Sequence, residues 1–260
     1  MPLGLLGYGL SAQGDDKKLT VAASPVPHAE ILEYVRDHLA KKAGLELDVQ
    51  EYSDFVVPNN ATESGEVDAN FFQHKPYLDD FNKKNGTHIR PVANVELEPL
   101  ALYSKKVKSL KQIKSGQTVA VPNDSVNEGR ALQLLDRTGL IKLKPGAGQG
   151  ASLDDIADRK GLKFEEIEAP SVPRSLTDVD AAVINGNFAL EAHLSPNKDA
   201  LAVEKEKDND FTNFLAVKDG NQDDPRVRKL AKLLQSDEVK KFIEKKYDGG
   251  IVPSFGPVKD

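Results

Sequence analysis

Short alternations of apolar and polar residues and helical patterns of apolar residues follow one another along the chain. The alternation at 19–23 predicts a β-strand, and the apolar spacing between 27 and 39 predicts a helix with one apolar face. Gly44 is placed to end that helix, and a second alternation at 45–49 predicts the next strand. Residues 18–50 are therefore predicted to form a β-α-β unit, whose default crossover is right-handed.

The same succession continues toward the C-terminus and predicts an α/β protein with largely parallel strands. Further strands are predicted at 67–72, 92–103, 118–121, 164–168, 180–184 and 213–217, and further helices at 76–84, from Asp224 and from Ser236.

Two of these strands, near 92–103 and 212–218, are interpreted as crossings between two lobes. Lobe 1 then comprises residues 18–103 and 212–260, and lobe 2 is the insertion 104–211. The predicted architecture is two mainly parallel sheets, each flanked by helices and joined by two crossover strands. Ligands of open α/β sheets bind beyond the carboxyl ends of strands, so polar residues at strand ends are the candidates for a site.

Residues 1–17 are predicted to be a flexible leader or the remnant of an export signal. Leu10-Ser11-Ala12-Gln13 resembles the box that ends bacterial lipoprotein signals, with Gln13 where the lipidated cysteine stands. One hypothesis is therefore a replaced lipid-anchor cysteine. The alternative is an unremarkable leader, because no basic residue precedes this short apolar stretch.

Composition narrows the classes of function. The 35 basic and 41 acidic residues give a net charge of -6, which offers no positive surface typical of nucleic-acid binders. Cysteine is absent, so disulfides and thiolate chemistry are excluded. The five histidines show no HExxH spacing, and the GxSxG, GxxxxGK[ST] and GxGxxG motifs are missing, so no catalytic site, metal site or cofactor is predicted.

The segment 119–130 predicts an anion site, because a strand here runs into the start of a helix. A helix N-terminus offers free N–H groups, and the Arg130 guanidinium can hold a carboxylate through two parallel hydrogen bonds. The alternative is a surface arginine paired with Asp124 or Glu128. Spacing alone does not distinguish these two interpretations.

An aromatic cluster occupies the end of the strand near 72 and the following helix. Phe72 and His74 point to the same face of an extended segment, Tyr77 follows one turn later, and Phe55 and Tyr52 are candidates to widen the pocket. Aromatic faces suit an apolar or thioether side chain. The alternative is that these residues are plain core.

Two separated amides, Asn185 and Asn213, also fall at strand ends. An amide supplies a donor and an acceptor together, which suits the ammonium and carboxylate of an amino acid. The alternative for Asn185 is turn chemistry, because it is followed by glycine in an Asn-Gly dipeptide.

Five blocks of the chain, in order between residues 18 and about 253, resemble the methionine-binding lipoproteins (the NlpA family) of bacterial ABC importers. These blocks are Ser24–Leu32, Asp68–His74, Pro122–Leu132, Asp180–Asn187 and Gln235–Lys241.

This resemblance implies a type II periplasmic-binding-protein fold and assigns roles to the candidate residues. Arg130 is expected to bind the ligand carboxylate, and the amides are expected to hold the ligand's polar groups. The side-chain pocket is expected to be aromatic, with Phe55 where the family usually has tyrosine. The full set of expected ligand-binding residues is Phe55, Phe72, His74, Tyr77, Asn127, Arg130, Asn185 and Asn213.

The function expected from the resemblance is capture of methionine between two lobes and its delivery to an ABC permease. The protein is expected to act outside the cytoplasm as a monomer without a cofactor, held at the membrane only by a lipid anchor. Three alternatives remain open: another apolar amino acid or a methionine dipeptide as ligand, an enzyme in the same cleft, and a surface interaction protein.

Overall fold

A computed structural model of the protein describes residues 17–207 and 209–258. Residues 1–16 of the predicted leader, which include the predicted lipid-anchor box at 10–13, therefore lie outside the described residues. Of the helices in these two ranges, none has both the length and the apolar character needed to cross a membrane.

Strands and helices alternate along most of the chain, as predicted. The strands are β1 Lys18–Ala23, β2 Glu46–Glu51, β3 Ala69–His74, β4 Ile89–Leu97, β5 Ala101–Tyr103, β6 Thr118–Pro122, β7 Lys142–Leu143, β8 Ile156–Asp158, β9 Lys163–Ile167, β10 Ala181–Ile184, β11 Ala200–Val203, β12 Thr212–Lys218 and β13 Val252–Gly256. The α-helices are α1 Glu30–His38, α2 Val57–Ser64, α3 Lys75–Asn85, α4 Ser125–Thr138, α5 Val172–Ser175, α6 Gly186–Glu191, α7 Pro196–Asp199, α8 Pro225–Leu234 and α9 Asp237–Tyr247.

The strands form two principal sheets. The first has the order β13-β4-β12-β3-β1-β2, with β1 parallel to both β2 and β3 and with β12, β4 and β13 added antiparallel. The second has the order β11-β5-β10-β6-β9, with β6 parallel to β9 and β10 and with β5 antiparallel to β10 and β11. Strands β7 and β8 form a separate small ribbon.

Each sheet buries apolar side chains against its own helices. Helices α1, α8 and α9 cover the first sheet through residues such as Ile31, Leu230 and Ile243. Helix α4 covers the second sheet through Leu132 and Leu135. Each sheet therefore has a core of its own. Burying one side chain of this size contributes about 1.5–3 kcal/mol.

The single strand predicted at 92–103 is wrong. The chain forms β4 and β5, which belong to different sheets and are separated by residues 98–100. Pro99 lies in this break, where its missing N–H cannot contribute to a ladder. The return from the second sheet to the first runs through 204–211, between β11 and β12.

Candidate functional site

The structure brings all eight sequence-predicted site residues to one pocket. Three further residues line it, namely Gln73, Glu98 and Asn187. Tyr52, which was expected to widen the pocket, does not line it, because its ring packs against Ala22, Ala61 and Val67.

The pocket lies at the carboxyl ends of strands from both sheets. His74 is the last residue of β3, and Asn185 follows β10 directly. Asn127 and Arg130 lie in the first turns of α4, which follows β6. The Asp124 carboxylate caps this helix by accepting a hydrogen bond from the Asn127 N–H at 2.9 Å. This cap therefore fixes the start of α4 and with it the position of the Arg130 backbone.

Arg130 is buried and its guanidinium is held on several sides. Its Nε donates to Glu204 Oε1 at 3.0 Å and its Nη2 to Glu204 Oε2 at 2.6 Å. Nη2 also donates to the Glu98 carbonyl at 2.9 Å, and the guanidinium stacks on Phe211 at 4.2 Å. Among the described residues Nη1 has no acceptor, so this end of the guanidinium is available to a ligand.

The alternative of a surface arginine is wrong. Asp124 is engaged in capping α4, and Glu128 accepts a hydrogen bond from the Leu153 N–H at 3.0 Å. The partner is Glu204, which is 74 residues away in sequence and was not predicted. Burial alone raises the pKa of Glu204, but the charge and hydrogen bonds of Arg130 outweigh it and hold that pKa below its ordinary value.

One wall of the pocket is aromatic. The Phe55 ring lies 6.0 Å from Phe72, 5.8 Å from Tyr77 and 5.0 Å from Phe188, measured between centroids. The Tyr77 hydroxyl donates to the Phe55 carbonyl at 2.9 Å, which ties the two segments together. Phe188 belongs to α6 and was not predicted. These faces can surround an apolar or thioether side chain.

His74 is held as a neutral imidazole. Its Nδ1 accepts a hydrogen bond from the Tyr77 N–H at 3.3 Å, so the proton is on Nε2, which donates to Asn127 Oδ1 at 3.2 Å. Burial, together with the charge of Arg130, lowers the pKa of His74 to about 3. Both ring nitrogens are therefore engaged, and the ring stays uncharged at neutral pH.

Two amides of the pocket are hydrogen-bonded to each other, and two buried amide atoms are left unpaired. Asn127 Oδ1 accepts from the side chain of Asn185 at 3.1 Å. Asn185 Oδ1 and Asn187 Nδ2 are buried without a partner among the described residues. Asn185 has an extended backbone and precedes α6, so the alternative of an ordinary Asn-Gly turn is wrong. An unpaired buried amide is costly, which favours a polar ligand at this place.

A buried ion trio borders the pocket through Glu98 and was not predicted. His28 Nε2 lies 3.2 Å from Glu96 Oε1 and 3.1 Å from Glu98 Oε1. Burial alone lowers the pKa of His28, but the two carboxylates outweigh it and raise that pKa to about 10. The donor atoms of the trio lie within 4.8 Å of one another, close enough to share a metal ion. His28 is distant in the sequence from Glu96 and Glu98, so no local pattern predicts that the three side chains meet.

Comparison with known proteins identifies the family. A family model described as NlpA lipoprotein matches residues 19–255. The chain is 41% identical over 256 residues to the D-methionine-binding lipoprotein MetQ of Salmonella typhimurium, covering 97% of this chain and 94% of that protein.

Solved structures agree in fold. A nutrient-binding protein from Burkholderia cenocepacia bound to methionine has a TM-score of 0.88 and 46% identity, covering 91% of this chain and 100% of that one. The structure of the methionine-binding protein MetQ has a TM-score of 0.90 and 39% identity, covering 93% of this chain and 100% of that one. These likenesses confirm the predicted fold class and the resemblance drawn from the five sequence blocks. The chain therefore belongs to the NlpA lipoprotein family.

Proposed function

We propose that this protein captures methionine between two lobes and delivers it to the permease of an ABC importer. One observation carries the proposal: the free Nη1 end of Arg130 and an aromatic wall line the same pocket. A guanidinium suits the carboxylate of an amino acid, and aromatic rings suit a thioether. Relatives named for methionine binding and a structure bound to methionine support this choice of ligand.

The proposed ligand-binding residues divide by chemistry. Arg130 receives the carboxylate, and the unpaired Oδ1 of Asn185 accepts from the ammonium, with Asn127 and Asn213 completing the polar side. The apolar side is formed by the remaining predicted residues, Phe55, Phe72, His74 and Tyr77. His74 serves there as a neutral wall that fixes Asn127, because its Nε2–H donates to that amide.

The same geometry favours binding over catalysis. An enzyme in this cleft needs an acid or a base, and His74 is the histidine among the pocket-lining residues. A pKa of about 3 and two occupied ring nitrogens leave His74 unable to exchange a proton with a ligand near neutral pH. Capture then proceeds by closure, because only the closed form contacts the ligand from both lobes.

The proposed lobes are residues 18–103 with 212–260, and residues 104–211. The first sheet draws its strands from the former and the second sheet from the latter, apart from β5. The short strand β5, Ala101–Tyr103, pairs with the second sheet, which moves the proposed boundary to 98–100. We further propose that the protein acts at the cell envelope outside the cytoplasm, because its relatives are named lipoproteins. The proposal also keeps the expected monomer.

Isothermal titration calorimetry with a panel of ligands tests this function. The panel comprises L-methionine, D-methionine, leucine and the dipeptide glycylmethionine. We expect one of the methionine enantiomers to bind at least about tenfold more tightly than leucine, because leucine lacks the thioether that suits the aromatic wall. A tenfold difference corresponds to about 1.4 kcal/mol. Equal affinity for leucine, or preference for the dipeptide, would replace methionine as the ligand. Heat from none of the four in folded protein would contradict capture of amino acids.

A further inference from the structure

Glu204 stands beside the proposed site without lining it. Its carboxylate occupies two sides of the Arg130 guanidinium, with Oε2 2.6 Å from Nη2 and Oε1 3.0 Å from Nε. Both side chains are buried, with 3% and 5% of their surfaces exposed. The Glu204 N–H donates to the Leu100 carbonyl at 2.8 Å, and the Leu100 N–H donates back to the carboxylate at 3.3 Å. Glu204 is thus anchored where the two connecting segments meet.

This pair changes the charge that a ligand meets. Arg130 is the permanent cation among the pocket-lining residues, and Glu204 cancels that charge. His74 is uncharged, and Glu98 is the lining carboxylate. The Arg137 guanidinium reaches Glu204 only at 4.0 Å and is half-exposed, so water screens it.

The remaining nearby charges do not make the pocket positive. The Glu98 carboxylate accepts from the Asn187 N–H at 2.7 Å and faces the His28 imidazole, which Glu96 also faces. Burial and the neighbouring Glu98 raise the pKa of Glu96 to about 7, so near neutral pH the two glutamates together at least balance the single imidazolium. A ligand that brings only a negative charge enters a buried space with no uncompensated positive charge, and moving a lone charge out of water is costly. A zwitterion brings an ammonium as well and stays neutral overall.

We propose that Glu204 is a specificity-determining residue: by neutralising Arg130 it restricts the pocket to zwitterionic ligands and excludes carboxylates that lack an ammonium group. It also turns Nη1 of Arg130 toward the pocket, because Nε and Nη2 are already occupied. This inference rests on the proposed function, since it concerns the same pocket and the same guanidinium.

The test compares two ligands in two proteins. L-methionine and its des-amino analogue, γ-methylthiobutanoate, share a carboxylate and a thioether but differ in the ammonium. Calorimetry gives the dissociation constants of both ligands with the wild-type protein and with Glu204→Gln. The selectivity is the dissociation constant of the analogue divided by that of methionine. Both ligands carry the carboxylate, so the effect of Glu204 on it cancels in this ratio, and the Glu204 charge separates the two ligands through the ammonium that only methionine has. We expect Glu204→Gln to lower this selectivity about tenfold or more, since the ammonium loses the attraction of a negative charge a few ångströms away, which is worth about 1.4 kcal/mol or more.

Glu206→Gln is the matched control, because the same change is made two residues away at an exposed carboxylate that does not line the pocket. Its selectivity should equal that of the wild type. Unchanged selectivity in folded Glu204→Gln overturns the inference. If the thermal unfolding curve shows that Glu204→Gln is not folded, Glu204→Asp replaces it. The aspartate side chain is one methylene shorter, so its carboxylate lies farther from the ligand and selectivity should fall about threefold. An unchanged value again overturns the inference.

The two failures are distinguishable. If the wild-type protein binds neither ligand, the proposed function fails, and the role of Glu204, which rests on it, is overturned with it. If the wild-type protein binds methionine but selectivity does not move in the folded Glu204 variant, the proposed function stands and only the role of Glu204 is wrong.

Discussion

His74 is the pocket residue whose environment is least tolerant of charge. The pKa in the folded protein is lowered to about 3 from an ordinary value of 6.5, so the folded state favours the neutral ring. Its contribution to stability is therefore fully present above pH 6.5 and is lost as the pH falls from 6.5 toward 3.

The measurement that isolates this effect is urea unfolding of the wild type and His74→Gln at a series of pH values. The difference between their unfolding free energies should be constant above pH 6.5. Below pH 6.5 the unfolding free energy of the wild type should fall relative to that of His74→Gln. The fall should be up to about 1.4 kcal/mol per pH unit, which is the slope for one proton. A difference that does not change with pH would contradict the description of His74 as obligatorily neutral.

At this scale, local sequence predicts part of the site and misses what depends on distant contacts. Phe72, His74 and Tyr77 lie within six residues, and the end of a strand followed by a helix places them together. Glu204 and Arg130 are 74 residues apart, and no local pattern marks Glu204 as a partner. Their meeting depends on how the connecting segments cross, which periodicity does not encode.

Among the elements, α4 carries the most informative packing. Gly129 faces the loop 146–151, and a Cβ at this position would lie 2.0 Å from the Gln149 carbonyl oxygen and 2.9 Å from the Ala151 nitrogen. These are backbone atoms, so the loop must move to admit a side chain. Glycine is therefore required by close approach, although alanine is the better helix former by about 1 kcal/mol.

Gly129→Ala should consequently destabilise the protein, by about 1–3 kcal/mol for an overpacked site. Gly148→Ala is the matched control, because nothing lies within 4 Å of a Cβ there and its backbone is not in the left-handed region. Urea unfolding compares both variants with the wild type. Equal stability of the two variants would show that α4 does not pack on this loop as described.

Most elements are predictable because their signals are local. Asp124 and Gly139 bound α4 by a cap and a left-handed residue, and both kinds of residue are recognisable in sequence. The strand predicted at 92–103 failed for a different reason. Apolar residues continue on both sides of Glu98-Pro99-Leu100, so the pattern does not reveal that the chain leaves one sheet and joins another.

On the scale of the whole molecule, the site and the connections between sheets share residues. Segment 98–100 supplies the Glu98 carbonyl to Arg130, and segment 204–211 supplies Glu204 and the Phe211 ring. A ligand held by Arg130 therefore binds a side chain that contacts both segments. Under the proposed closure, contacts that a ligand makes only in the closed form shift the population toward that form.

Methionine binding by Arg130→Ala tests whether this guanidinium holds the ligand carboxylate. Calorimetry should show a loss of about 2 to 5 kcal/mol relative to the wild type, because one partner of a buried charge pair is removed. Arg137→Ala, an exposed arginine of the same helix outside the pocket lining, should retain wild-type affinity. Circular dichroism establishes that both variants are folded. Undiminished methionine affinity in folded Arg130→Ala would contradict the account, because Arg130 could not then be the group that holds the ligand carboxylate.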